Sequence, residues 1–123
     1  MVSDTNNKTY TELMVYLKTL FPNIDGSQKL NTDPAKFPFC FFFQIDSMTT
    51  GQTLSVTEDV IRVAYQIDIY SKKSMDEARK ITDAVRRWMI EHGFKCIGSR
   101  PLDFDTPYRF VSRYQRLETE IME

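Results

Sequence analysis

Histidine is almost absent from this sequence. The 123 residues hold one, His92, together with two cysteines, Cys40 and Cys96. That scarcity removes most catalytic and metal-binding arrangements. A lone histidine without a partner at fixed spacing supplies neither a triad nor a zinc site. The cysteines lie far apart without metal-ligand spacing, and in a chain lacking an export signal they read as reduced, buried, small core hydrophobes. No glycine-rich phosphate loop, HExxH, CxxC or GxSxG occurs. An excess of one charge is missing too: 16 basic side chains face 17 acidic ones, so no strong field draws the chain to nucleic acid or anionic lipid. Long hydrophobic runs are lacking. FPFCFFF, Phe37 to Phe43, is the longest apolar stretch, is too short to span a bilayer and contains a proline. Met1 to Lys8 is polar, with neither the basic nor the apolar region of a signal peptide. The expectation is a soluble cytoplasmic protein, a single domain over 1–123, long enough to bury a core unaided.

What is present is clear patterning. Tyr10, Leu13, Met14, Leu17 and Leu20 recur at helical spacing and predict a helix over 9–20, stopped by Phe21-Pro22. Asn23 to Lys36 reads as a long polar connection. A strand is expected over 38–46, with Phe39, Phe41, Phe43 and Ile45 on one face and Cys40, Phe42, Gln44 and Asp46 on the other. Ser47 to Asp59 is threonine-rich and reads as a long hairpin loop. The next strand, 60–70, sets Ile61, Val63, Tyr65, Ile67 and Ile69 against Val60, Arg62, Ala64, Gln66, Asp68 and Tyr70.

SMDE, Ser74 to Glu77, fits a capping box and opens a helix over 75–92. Met75, Ala78, Ile81, Val85, Trp88 and Met89 form its apolar stripe, and Asp76–Lys80 and Asp83–Arg87 are charge pairs one turn apart. His92-Gly93 closes it. Strands follow over 94–102 and 108–118, joined by the DFDTP turn. The predicted fold is α+β: a four-stranded, mostly antiparallel sheet with two helices packed on one face, in the order α-β-β-α-β-β. The opposite face is then bare, yet carries Phe42, Val60, Tyr70, Val111 and Leu117, more apolar surface than a lone domain needs.

Two chemical readings of that face compete with a plain one. Asp46 and Asp68 at neighbouring strand ends, with Asp103 and Asp105, offer oxygen ligands to a divalent cation; the plainer reading is a solubilised sheet face and a turn. Surface aromatics and Arg62, Arg109 and Arg113 suit a sheet that stacks bases, but the element order and the absence of an RNP-like run argue against it. Asp68 accordingly reads as a polar-face residue, structural or interfacial, and no catalytic residue, cofactor or metal site is assigned.

The stretch VAYQIDIYSKKSMDEARKITDAVRRWMIEHGFK, followed by DTPYRFVSRYQ, resembles the tail-terminator (tail-completion, head–tail joining) proteins of long-tailed bacteriophages. The resemblance rests on Tyr65, Ile67, Asp68, Ile69, Tyr70 and Ser71, on Gly93 and Phe94, and on Asp105, Thr106, Tyr108, Arg109, Val111, Arg113 and Tyr114. It covers about Pro38 to Gln115 and is shared in part with other small head–tail connectors. It implies a non-enzymatic structural protein of the virion tail, assembled in the host bacterial cytoplasm. The implied partners are itself, as a ring of six copies, the tail tube protein and a head-completion protein, with DNA passing through unbound and no membrane. A ring needs unlike patches on each copy. The bare face and final strand supply candidates in Phe42, Arg62, Asp68, Tyr70, Arg109 and Arg113.

Overall fold

One five-stranded sheet, in the order β1-β2-β3-β5-β4, forms the centre of the molecule. The structure is a computed structural model that describes residues 2–28, 36–50, 58–103, 105 and 107–121; side chains of 2–7, 46–50, 58–62, 103 and 117–121 lie outside what is described. Along the chain run α1 (Val2–Leu20), β1 (Asp25–Ser27), β2 (Phe39–Thr50), β3 (Glu58–Ser71), α2 (Met75–Glu91), β4 (Lys95–Asp103) and β5 (Tyr108–Ile121). The architecture is α+β, as the patterning predicts, but the sheet has five strands and not four.

The additional strand lies inside the stretch read as a polar connection, 23–36. Asp25–Ser27 pairs parallel to Phe39–Phe41 of β2, whereas every other pairing is antiparallel. Three polar residues carry no alternation, so periodicity is blind to them. Close approach explains the glycine between them: a Cβ on Gly26 stands 2.8 Å from Met14 Cε and 3.0 Å from the Cys40 carbonyl. Elements also outrun their expected ends. α1 starts at Val2, seven residues before Thr9, because its first turns have no apolar stripe to count. β2 continues to Thr50 and β3 begins at Glu58, so both ends of the predicted hairpin loop are strand; residues 51–57 lie outside the described residues.

α2 shows how the local code works. Ser74 Oγ accepts from the Glu77 amide at 3.0 Å, which satisfies one orphan donor of the first turn. The Glu77 carboxylate does not close the capping box on Ser74; it accepts from Ser71 Oγ at 2.7 Å. Ala78, Ile81, Thr82, Ala84, Val85, Trp88 and Met89 are buried, and Gly93, at φ +87°, takes the left-handed stop. β4 runs parallel to β3, but β5 is inserted between them and pairs with both.

Both helices cover one sheet face. Leu13 and Leu17 of α1 and the α2 stripe pack in one core with Cys40, Phe42, Val63, Tyr65, Ile67, Ile69, Phe110 and Tyr114. Each fully buried large aliphatic contributes about 1.5–3 kcal/mol. The location of Phe42 corrects the sequence reading. It is 1% exposed and tilts against Tyr10 and Tyr65, with ring centroids 5.6 and 4.8 Å away. Cys40, Phe42 and Gln44 share a face, as the alternation predicts, but they stand opposite Ile69, Ile67 and Tyr65 of the core. A bulge between Gln44 and Asp46 breaks the alternation before Asp46. Phe42 faces Ile67 in the register and belongs to the core, not to the open face.

The candidate interaction face

With Phe42 turned inward, Phe39, Phe41 and Phe43 take the face away from the helices. Phe41 stacks on Phe43 with centroids 4.6 Å apart, and Phe39 tilts towards Tyr70 at 6.5 Å. The register sets Phe39, Phe41 and Phe43 opposite Tyr70, Asp68 and Gln66. On the far side of β3, Tyr70, Asp68 and Gln66 face Arg109, Val111 and Arg113 of β5. Sequence alternation places all of these β3 and β5 residues on the outer face; only the aromatic row was missed.

A polar chain runs through the middle of this face. Arg109 donates to Asp68 Oδ2 from Nη2 at 2.7 Å and from Nε at 3.2 Å. Gln66 Nε2 donates to Asp68 Oδ1 at 3.0 Å, and Arg113 Nε donates to Gln66 Oε1 at 3.0 Å. Arg109 also lies 5.6 Å from the Tyr70 ring centroid, within cation–π range. Asp68, expected on a wet face, is 1% exposed while its arginine partner is 26% exposed. A carboxylate so deeply covered needs a partner and hydrogen bonds to offset its lost hydration, and here both oxygens have them.

Of the four acids read near that face, Asp68 and Asp105 have described side chains, and these two do not come together. Asp46 pairs with Ala64, four residues along β3 from Asp68, and Asp105 is exposed in the turn. Asp103 is set opposite Arg109 by the register, and the side chains of Asp46, Asp103 and Arg62 lie outside the described residues. Among the described residues no three His, Cys, Asp or Glu side chains gather as a metal site. His92 stacks on Trp88 with centroids 3.8 Å apart, its Nδ1 2.7 Å from the Trp88 carbonyl, the helix-end role its position suggests. Cys40 is buried and Cys96 half-buried, both free. Burial, with the Asp68 charge adding to it, pushes the Cys40 thiol up to about 12, so it is held as a neutral thiol.

Beside the polar chain, β4 and β5 frame a cavity of about 340 Å³ lined by Gln66, Ile97, Arg100, Leu102, Arg109 and Arg113, among others. Ile97 and Leu102 each sit at a register shift of β4. Ile45 sits at the shift in β2. All three are exposed, at 47, 36 and 43%. A bulge leaves its extra residue out of the ladder, and at each of these the residue is a large aliphatic. Gly98 and Pro101, which flank the β4 bulges, were the available sequence signal.

No protein-family model matches the sequence, and a search of curated proteins returns no match. No helix among the described residues is long and apolar enough to cross a membrane.

Proposed function

We propose that the chain is a structural protein that assembles as a ring at the end of a bacteriophage tail tube, ending tube growth and forming the surface that joins tail to head. The observation that carries this reading is the sheet face left open by both helices. It holds a fixed Arg109–Asp68–Gln66–Arg113 chain bordered by exposed Ile97 and Leu102. Aliphatic and arginine groups of this kind are what interface centres use, and a rigid polar chain between them fixes register. The sequence resemblance over about 38–115 supports a place in the head–tail connection, the class it shares with other small connectors. The reading assigns no catalytic step.

The test is the native mass of the purified protein over a wide concentration range, followed by mixing with tail tubes. A discrete species of six copies, insensitive to nuclease and chelator, together with capped tubes of fixed length, is the expected result. Tubes that continue to grow in its presence sink the reading.

The arginines beside β4 favour a second reading, a nucleic-acid-binding module on the sheet face. Its test is salt-dependent oligonucleotide binding with a log–log slope of several phosphate contacts. Phe39 and Phe41 weigh against it, because both are buried and present no ring for a base to stack on.

A further inference from the structure

The cavity between β4 and β5 has a recognisable chemistry. Arg100 and Arg113 are exposed on its wall, and Arg109 reaches it while bound to Asp68. Arg100 pairs with Val111 in the register, two residues along β5 from Arg113. The two guanidinium-bearing positions therefore step by about 6.7 Å along the strands. Ile97 and Leu102 add exposed aliphatic surface beside them. The fitting ligand is an extended segment whose carboxylates recur every second residue, on one of its faces.

Two segments of the chain have carboxylates at that step: Asp103 and Asp105, at the β4–β5 turn that joins the cavity's own strands, and Glu118 and Glu120, at the end of β5. The β5 segment is Leu117-Glu118-Thr119-Glu120-Ile121, with Thr119 between the two carboxylate positions and Leu117 and Ile121 flanking them. The same molecule cannot place it in its own cavity. Arg62↔Leu117 through Glu58↔Ile121 hold the segment in the ladder with β3. The pairing of β5 with β4 reaches no further than Lys95↔Gln115. Beyond Gln115, among the described residues, that second edge of β5 has no strand beside it.

We infer that the arginine-lined cavity of one copy receives the acidic end of β5, Leu117–Ile121, from a second copy. The contact joins unlike patches, so it propagates head to tail and closes when the rotation permits. This rests on the ring reading above and specifies which surfaces meet.

The test uses full-length chains. A socket variant, Arg100→Glu with Arg113→Glu, and a tail variant, Glu118→Lys with Glu120→Lys, are each sized by sedimentation against the wild type. Each alone is expected to lose self-association at least about tenfold, as does wild type in high salt. Mixed in equal amounts they are expected to reassociate, because each reversed socket then meets a reversed tail. Unchanged melting of the exposed-arginine variant guards against misfolding. Association that survives both reversals overturns the inference and leaves the ring reading standing. If wild type is monomeric throughout, a synthetic peptide of residues 116–123 is titrated into it. Binding lost in the socket variant supports the contact, and no binding overturns it. An oligonucleotide that occupies Arg100 and Arg113 more tightly than the peptide also overturns it, in favour of phosphate.

Discussion

Asp68 on β3 and Arg109 on β5 are two residues out of direct register, joined diagonally across the open face with Arg109 Nη2 2.7 Å from Asp68 Oδ2. Asp68 is almost fully covered, so removing its partner leaves an uncompensated buried charge. Arg109→Ala is expected to cost about 3–5 kcal/mol in urea unfolding. Asp68→Asn with Arg109→Met, which removes both charges, is expected to cost clearly less than the single arginine deletion. If the single and double variants are equally destabilised, the pair is not coupled.

Phe42 and Phe43 are neighbours in sequence on opposite faces. Phe42→Ala opens a core cavity against Tyr10 and Tyr65 and should lose about 3–5 kcal/mol. Phe43 is only half-buried beside Phe41, and Phe43→Ala should lose no more than about 1.5 kcal/mol, a partial share of aromatic burial. Equal losses would return Phe42 to the open face.

Stability should fall in alkali. Burial pushes the Cys40 thiol from an ordinary 9.0, and the Tyr114 phenol from 10.0, up to about 12 in each case. Above the ordinary values the unfolded chain releases protons that the folded chain retains. Their stabilisation is thus complete below about pH 9 and is lost as pH climbs to about 12, by up to about 1.4 kcal/mol per pH unit for each group. The urea midpoint followed from neutral pH upward should decline more gently in Cys40→Ala. Parallel curves for the two proteins would remove Cys40 from the account.

Gly26 and Gly98 give a contrast in strand glycines. Gly26→Ala meets Met14 and the Cys40 carbonyl, and overpacking of that kind costs about 1–3 kcal/mol. Around Gly98 an added Cβ finds nothing within 4 Å, so Gly98→Ala should be neutral or stabilising by up to about 1 kcal/mol. Thermal melts of the two variants decide this. A Gly26→Ala protein as stable as wild type would show that β1 is not packed closely against α1.

The two main helices and four long strands were legible because each repeats its pattern several times. Leu13 and Leu17, or Val63 to Ile69, state a face that no single residue has to carry. The open-face positions Asp68, Tyr70, Arg109 and Arg113 were legible for the same reason. Where reading failed, the pattern was short or carried both signals. Asp25–Ser27 has too few residues to alternate. In FPFCFFF aromatics occupy both phases, Gln44 made the core-facing phase look polar, and a bulge breaks the alternation before Asp46. The pairing of β4 with β5 was legible as a hairpin, but the cavity wall was not, since which β4 residues face Val111 and Arg113 depends on the register shifts at Ile97 and Leu102.

The outermost strands of the sheet, β1 and β4, make poor templates. β1 is three residues long, while β4 is broken at Ile97 and Leu102 and has Pro101, without an amide hydrogen, in between. A foreign strand can add to either for only a few hydrogen bonds before its register is lost, and among the described residues the longer edges without a neighbouring strand lie on β2 beyond Phe41 and on β5 beyond Gln115. Backbone pairing between copies is thereby directed to those inner stretches and away from the two outermost strands.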